Sequence, residues 1–273
     1  MESLGPPPES PRNRILASLP QAEYESLRPE LELITLDMRD LVYDVGRRIE
    51  RVLFVETGVI SIISVMADGS SVETATVGCE GMVGLPVYLD SDRSATQAFC
   101  QVPGKSLSIP TDAFRRVVNE RTLLRSILNR YAQALFTQVA QAAACNRFHP
   151  MRERCARWLL QTHDRVDSDD FPLTHDFLSQ MLGVRRAMVT DAAGVLQKQG
   201  LIDYAYGRVR ILDRAGLERA SCECYAIVRS EYDRLLEGRK TPSPLDGVVA
   251  SSAGKSTLNN GSPRRGLELP EED

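Results

Sequence analysis

No stretch of this chain approaches the roughly 20 consecutive apolar residues that a membrane span requires, and its opening, MESLGPPPESPRNR, lacks the apolar centre of a secretory signal. A soluble, cytoplasmic protein with no membrane partner is the expectation. A large excess of one charge is also missing: 33 basic and 37 acidic residues leave a formal net charge of -4, which argues against general affinity for polyanions. Any contact with nucleic acid must therefore be local. Cysteine is sparse, six in 273 residues (Cys79, Cys100, Cys145, Cys155, Cys222, Cys224), too spread for a disulfide framework. No internal repeat, no phosphate-binding glycine loop and no histidine-based nucleophile arrangement within one domain is found. The chain is not read as an enzyme.

What is present is enough apolar material, 42% of residues, for real cores. Residues 1–13 and 239–273 are rich in Pro, Ser, Gly and charge without periodicity, and both read as disordered. Between Leu31 and Ile109 short β-type runs alternate with turn signals. One of these is Ala67-Asp68-Gly69-Ser70, whose Asp-Gly pair supplies the positive φ angles of a tight hairpin. Such spacing predicts an antiparallel barrel or sandwich within a unit spanning 14–111.

The period then changes. Thr111 is a candidate N-cap, and no Gly or Pro follows until Pro150, which predicts one helix over 112–144, on the order of 50 Å long. Leu124, Leu128, Tyr131, Leu135, Gln138 and Ala142 alternate steps of four and three, the 3.5-residue repeat that keeps two helices in register. We read a dimerisation helix with Leu124, Leu128, Tyr131, Leu135 and Gln138 at the interface. The alternative is a helix lying on its own β domain, and Gln138 favours that.

Residues 145–238 form a second, mostly helical unit. Thr174 is an N-cap for a short helix that Gly183 ends, a further helix begins near Val184, and two β-type runs follow around Tyr206-Gly207. Helix, glycine turn, helix and hairpin describe a winged helix-turn-helix, whose second helix can enter the major groove. With Val189, Ala193 and Leu196 turned inward, Arg185, Arg186, Met188 and Thr190 face the groove. Arg208 and Arg210 on the hairpin are placed to touch the DNA backbone, and Thr174 lies at the same face. Ten basic and nine acidic residues between Asn146 and Asp213 mean that binding depends on where the charge sits.

In this order, DGSSVETATVG, EGMVGLPVYLDSDRSAT, the long helix and LTHDFLSQMLGVRRAMVTDAAGVLQKQGLI, the chain resembles the cyclic-AMP receptor and fumarate-nitrate regulator (Crp-Fnr) family of bacterial transcription factors over about residues 14–225. The resemblance implies an α+β protein with an N-terminal cyclic-nucleotide-binding-like β-roll, a long dimerisation helix and a C-terminal winged helix-turn-helix. It also implies a homodimer on a two-fold DNA operator, working with RNA polymerase. Arg186 falls on the family's base-reading arginine. Ala187 stands where the cyclic-AMP receptor subgroup has a recognition glutamate, and Asp191 occupies a position that is often basic. A ligand-binding scaffold acting through protein contacts is the alternative from another class.

For an effector pocket the resemblance points to Gly81, Met82, Gly84, Arg93 and Ser94. Arg93 and Ser94 match the residues that hold a cyclic phosphate, but Met82 or Leu85 stands where the ribose-binding glutamate belongs. A cyclic nucleotide therefore remains open but disfavoured, and a different ligand or none is preferred. The alternative role for Arg93 is pairing with Asp90 or Asp92. The iron-sulfur subgroup carries its cysteines near the N-terminus, whereas the first here is Cys79, so no such cluster is expected. Haem is left without a histidine in the sensor, since His149, His163 and His175 all lie beyond it.

No cofactor and no metal is predicted. Cys145 and His149 could share a helix face, with Cys155 nearby, but Pro150 breaks that helix, and packing at the hinge is the plainer reading. Cys222 and Cys224, two apart on an expected helix, point about 200° away from each other and cannot hold one ion unless the helix unwinds. Thiol sensing is their alternative role.

Overall fold

The computed structural model describes residues 2–237, so the tail expected to be disordered, 239–273, lies outside the described residues. The alternating pattern after Leu31 produces a β-roll of two sheets. One holds β1 (Glu2–Gly5), β2 (Glu32–Leu36), β4 (Arg51–Val55), β7 (Met82–Val83) and β9 (Gly104–Pro110), in the order β1-β2-β9-β4-β7. The other holds β3 (Leu41–Tyr43), β5 (Val59–Val65), β6 (Ser71–Val77) and β8 (Gln97–Val102), in the order β3-β8-β5-β6. Phe54, Ile60, Val77, Cys100 and Leu107 fill the space between them. The β5–β6 turn follows from its Asp-Gly pair: Gly69 has a φ of 83°, and Asp68 accepts from both the N–H and the hydroxyl of Ser70.

Residues 2–13, expected to be disordered, are tied down instead. β1 pairs with β2, and the carbonyls of Pro7 and Pro8 accept from the Arg28 guanidinium and the Tyr24 hydroxyl. Asn13 is buried; its amide donates to the carbonyls of Val55 and Gly81 while its oxygen caps α1 (Arg14–Ala17). Most of these anchors are backbone groups, to which composition is blind.

After α2 (Gln21–Leu27) and α3 (Leu85–Tyr88), the helix expected over 112–144 is two helices, α4 (Thr111–Glu120) and α5 (Thr122–Phe148). Arg121 between them is extended at φ -118°, and its guanidinium donates to the Ser26 hydroxyl. Ala113, Phe114, Val117 and Val118 hold α4 against the roll, so packing sets the break without Gly or Pro. Thr111 is the first helical residue rather than the cap, and its hydroxyl donates to the Ile49 carbonyl.

The seam expected to face a second copy is buried within its own chain. Leu124, Leu128, Tyr131 and Leu135 belong to the core of the β-roll. The Tyr131 hydroxyl donates to the Met82 carbonyl, and Gln138 donates to Thr76 while accepting from the Tyr232 hydroxyl. Tyr232 stands on α10 (Cys224–Glu237), which folds back along α5, so this helix packs with the core of the β-roll rather than with the C-terminal unit alone. A tethered β-roll meets the most apolar seam at high effective concentration and covers it before a second molecule can. Elsewhere on α5, Leu123, Phe136 and Val139 are exposed.

The second unit comprises α6 (Met151–His163), α7 (His175–Leu182), α8 (Arg186–Lys198), α9 (Arg214–Ala220) and a sheet of β10 (Asp170–Pro172), β11 (Ile202–Ala205) and β12 (Arg208–Ile211), in the order β10-β12-β11. Its core, with Trp158, Leu178, Met181, Val189, Leu196 and Ile211, also takes in Ile63 from the β-roll. Phe99 meets Phe177 edge-on at 6.2 Å across the same boundary.

Several polar contacts at this boundary are buried or half-buried. Arg165 reaches back from the end of α6 to Glu80 at 2.7 Å, with 7% and 8% of the side chains exposed. Burial opposes both charges, yet the guanidinium holds the Glu80 carboxyl below its ordinary value. Trp158 Nε1 donates to Glu73 at 2.8 Å. The Ser61 hydroxyl lies 2.7 Å from both the Glu73 carboxyl and Gln101 Oε1, and it has one proton to give. A protonated Glu73 would resolve the conflict by donating to Ser61 and leaving Ser61 to donate to Gln101, which itself donates to Thr162. Consistently, burial pushes the Glu73 carboxyl up to about 7, against the pull of Ser61, Trp158, Arg157 and Arg165.

Because this pKa is raised on folding from an ordinary 4.5, the stability it supports is complete below about 4.5 and is lost as pH climbs through about 7. At about 1.4 kcal/mol per pKa unit, the loss amounts to as much as about 3 kcal/mol. Thermal denaturation from pH 5 to pH 8 should show this fall in the native chain and a smaller one in Glu73→Gln. Parallel curves for the two proteins would refute the assignment.

Candidate nucleic-acid interface

The helix-turn-helix is set by local chemistry. Thr174 caps α7 by accepting from the Phe177 N–H at 3.1 Å, as its sequence position predicts. Gly183 ends α7 with φ 63°, and the Val184 N–H closes the turn onto the Ser179 carbonyl. A side chain at 183 would also press on Val72 of the β-roll, at 3.1 Å. The following helix does not begin at Val184: Gly183, Val184 and Arg185 form the turn, Arg185 is the N-cap, and α8 starts at Arg186.

Val189, Ala192, Ala193 and Leu196 bury one face of α8. Arg185, Arg186, Met188 and Thr190 are exposed on the other, with Thr174 exposed beside them. Arg186 Nε lies 3.4 Å from Asp176, with both side chains about two-thirds exposed, so this pairing contributes little and leaves the guanidinium available. The Thr190 hydroxyl is 3.0 Å from His175 Nδ1 and donates to the Arg186 carbonyl one turn back. Burial, followed by the Arg186 charge, lowers the His175 pKa, so its ring is neutral near pH 7. The same ring lies 4.2 Å from that of Tyr204 in β11.

The wing turns through Tyr206 and Gly207, with φ 52° and 72°, the two positive angles of a tight hairpin, and Tyr206 is fully exposed at its tip. Arg208 and Arg210 lie on β12 as expected, but both pair with Asp170 on β10, at 2.6 and 3.3 Å. Sequence reading missed that clamp. Its signal is the register, which sets Asp170 opposite Arg210, and a strand order is not written in the residues alone. Also unforeseen is the approach of the β-roll. The β5–β6 hairpin adjoins the turn between α7 and α8 across a depression of about 810 Å³ bordered by Ser70, Val72, Gln180, Gly183, Arg185 and Met188. Gln180 donates to Ser71 at its edge.

The residues expected to form an effector pocket lie in different surroundings. Gly81 lies under the Tyr131 ring, where a β-carbon would come within 2.6 Å, and Met82 is fully buried. Gly84, at φ 106°, precedes the single turn of α3. Ser94 is buried; its hydroxyl accepts from the Thr96 N–H and shares a hydrogen bond with the Thr96 hydroxyl. Arg93 points elsewhere, donating to the Gly46 carbonyl at the edge of a shallow depression of about 520 Å³ that Arg47 and Arg48 share. Asp92 pairs with Arg48 rather than with Arg93. Sequence proximity to a glycine turn does not say which way the chain faces, and here the long helix fills the interior.

Cys155, grouped in sequence with Cys145 and His149, is buried in the core of the DNA-reading unit. Cys222 and Cys224 do not share a continuous helix, because α9 ends at Ala220 and α10 begins at Cys224. The unwinding that would let them converge is therefore present.

Residues 33–121 match the family described as the cyclic nucleotide-binding domain, and residues 153–220 match the Crp-like helix-turn-helix domain. No curated protein matches the chain in sequence. In fold, the chain is similar to FixK2 from Bradyrhizobium japonicum, with a TM-score of 0.61 and 15% identity over 70% of this chain and 98% of that one. It is also similar to a CRP/FNR-family transcriptional regulator from Thermus thermophilus, with a TM-score of 0.59 and 19% identity over 70% and 98%. A crp/fnr-family regulator from Eubacterium rectale has a TM-score of 0.59 and 17% identity over 74% and 94%. Among the described residues, no helix is long and apolar enough to cross a membrane.

With Tyr131 over Gly81 and Arg93 turned outward, calorimetric titration with cyclic AMP or cyclic GMP should show no tight binding that depends on Arg93. Tight binding lost in Arg93→Ala would overturn this expectation.

Proposed function

The chain belongs to the Crp-Fnr family of transcription regulators, and we propose that it acts in the cytoplasm as a homodimer reading a two-fold DNA operator through α8. The observation that supports this most is the outward display of Arg185, Arg186, Met188 and Thr190 on a helix whose opposite face is anchored by Val189, Ala193 and Leu196. A guanidinium at the start of such a helix can grip guanine O6 and N7 together. Arg186 is assigned the base and Arg185 a base or a phosphate. Arg208 and Arg210 take neighbouring phosphates once Asp170 shares them. RNA polymerase is the further partner that membership of the family suggests, and no catalytic step is assigned to the chain.

Its dimer contact is proposed on the exposed side of α5. Phe136 and Val139 are large apolar side chains, 69% and 39% exposed, and Ala140 and Ala143 continue their line. Small residues beside a phenylalanine let two helices approach closely while one ring fills the gap. The β-roll is the sensor in this reading, for an effector other than a cyclic nucleotide held by Arg93. A change there would reach Arg185 through the β5–β6 hairpin and its Gln180–Ser71 contact.

On an operator found by genome-wide footprinting, Arg186→Ala should cost about 1–3 kcal/mol of affinity and relax preference at one base of each half-site. Undiminished discrimination would count against α8 as the reader. Sedimentation at micromolar concentration should show a dimer for the native chain and a monomer for Phe136→Glu with an unchanged circular dichroism spectrum. A persisting dimer in that variant would move the contact away from this face.

A further inference from the structure

We propose that Cys145, His149, Cys222 and Cys224 form a closed tetrahedral zinc site at the junction of the sensor and the DNA-reading unit. Their ligand atoms all lie within 4.8 Å of one another. Cys145 Sγ is 3.5 Å from Cys222 Sγ, and Cys224 Sγ is 3.4 Å from His149 Nδ1. A tetrahedral zinc ion with bonds of ~2.3 Å to sulfur and ~2.0–2.1 Å to nitrogen sets neighbouring ligand atoms about 3.5–3.8 Å apart, so the cage is already near its loaded size. A cluster of several irons, whose cysteines bind different metal atoms, needs its ligands further apart.

Each ligand comes from a place the fold has prepared. Cys145 sits in the last turn of α5, and His149 ends that helix with its N–H donating to the Cys145 carbonyl. Cys222 lies in the break between α9 and α10, and Cys224 is the first residue of α10. The break overcomes the 200° divergence that two residues this close would have on a continuous helix.

The surroundings are those of a metal site. The three cysteines form a buried cluster of their own, separate from both large cores, so apolar packing does not account for them. His149 Nε2, facing away from the cage, lies 3.2 Å from the Glu223 carboxylate, the outer contact that orients a metal-binding imidazole and raises its basicity. Gln141 donates to Cys224 Sγ from the side.

Charge makes a separate argument. Arg154 and Arg157 are buried, at 8% and 6% exposure, and each leaves its Nε without a partner. Their hydrogen bonds go to the Leu182 carbonyl and the Gln161 amide oxygen; neither forms an ion pair with a carboxylate among the described residues, and Arg157 has only the more distant charge of Glu73. Buried cations without a counter-charge are costly. Three thiolates and a neutral imidazole around a divalent ion carry one net negative charge next to them. Thiolate-rich, closed coordination is the choice of zinc among the common divalent ions, and the free energy of binding would add to that of folding.

The site is independent of the operator reading, because metal content is measured without DNA. Full-length protein purified under reducing conditions, incubated with one equivalent of Zn(II) and dialysed, should retain about one zinc per chain by elemental analysis. Cobalt(II) in its place should give the strong visible bands of tetrahedral coordination and thiolate charge-transfer absorption in the near ultraviolet. Cys222→Ser and His149→Ala should each weaken Zn(II) binding at least tenfold, while Cys79→Ser leaves it unchanged; His149 is at the edge of the cage, so its variant tests the site without emptying the core. Retention of less than a tenth of an equivalent by the native chain would overturn the proposal. So would unchanged retention in both ligand variants, an octahedral cobalt spectrum, iron with acid-labile sulfide, or a Cys145–Cys222 disulfide in the freshly purified protein.

Discussion

The pair of Arg165 and Glu80 holds the two units of this protein in one arrangement. Both charges are out of water, so neither can be left without the other: removing one partner of such a pair typically costs about 3–5 kcal/mol. The stem of Arg165 also fills the space over Gly78, where even a methyl group would collide, and the Glu80 carboxyl accepts the Gly78 N–H. The contact is therefore steric as well as ionic. Around it, the Trp158–Glu73 bond and the edge-on Phe99–Phe177 contact can form only when α6 and α7 lie against the outer face of the β5–β6–β8 sheet. The position of the reading helix follows from that seat.

A second constraint is competition for the apolar surface of α5. A helix of 27 residues presents more than one seam with the spacing of a coiled coil, and the β-roll takes the most apolar of them. Gln138 makes the outcome legible in retrospect. Its amide is satisfied on both ends by Thr76 and Tyr232, partners that a helix dimer would not supply. What remains exposed is a sparser line led by Phe136, with small residues beside it.

The parts of the fold that could be read in advance are those set by a few adjacent residues. Asp68-Gly69 makes its hairpin, Thr174 caps α7, and Gly183 turns the chain, because each requirement is local and few residues meet it. The outward face of α8 was legible for the same reason, as Val189, Ala193 and Leu196 leave only one side for the arginines. What escaped was set at a distance. The break at Arg121 has no breaker residue, the anchoring of residues 2–13 runs largely through carbonyls, and the Asp170 clamp depends on strand order. The cysteine cage depends on where α9 stops, and an uninterrupted helical pattern through Ser221 hid that point. Family likeness located Arg93 and Gly81 in the chain but could not show that the Tyr131 ring covers Gly81 or that Arg93 turns to the Gly46 carbonyl.

His175 links two surfaces that are usually considered apart. Its ring lies against Tyr204 of the wing while its Nδ1 is bonded to Thr190 of α8. The hairpin and α8 are thus joined through one side chain. If α8 reads DNA as proposed, base preference and backbone grip at its flank would drift together as operators diverge, and neither end of the footprint would evolve alone.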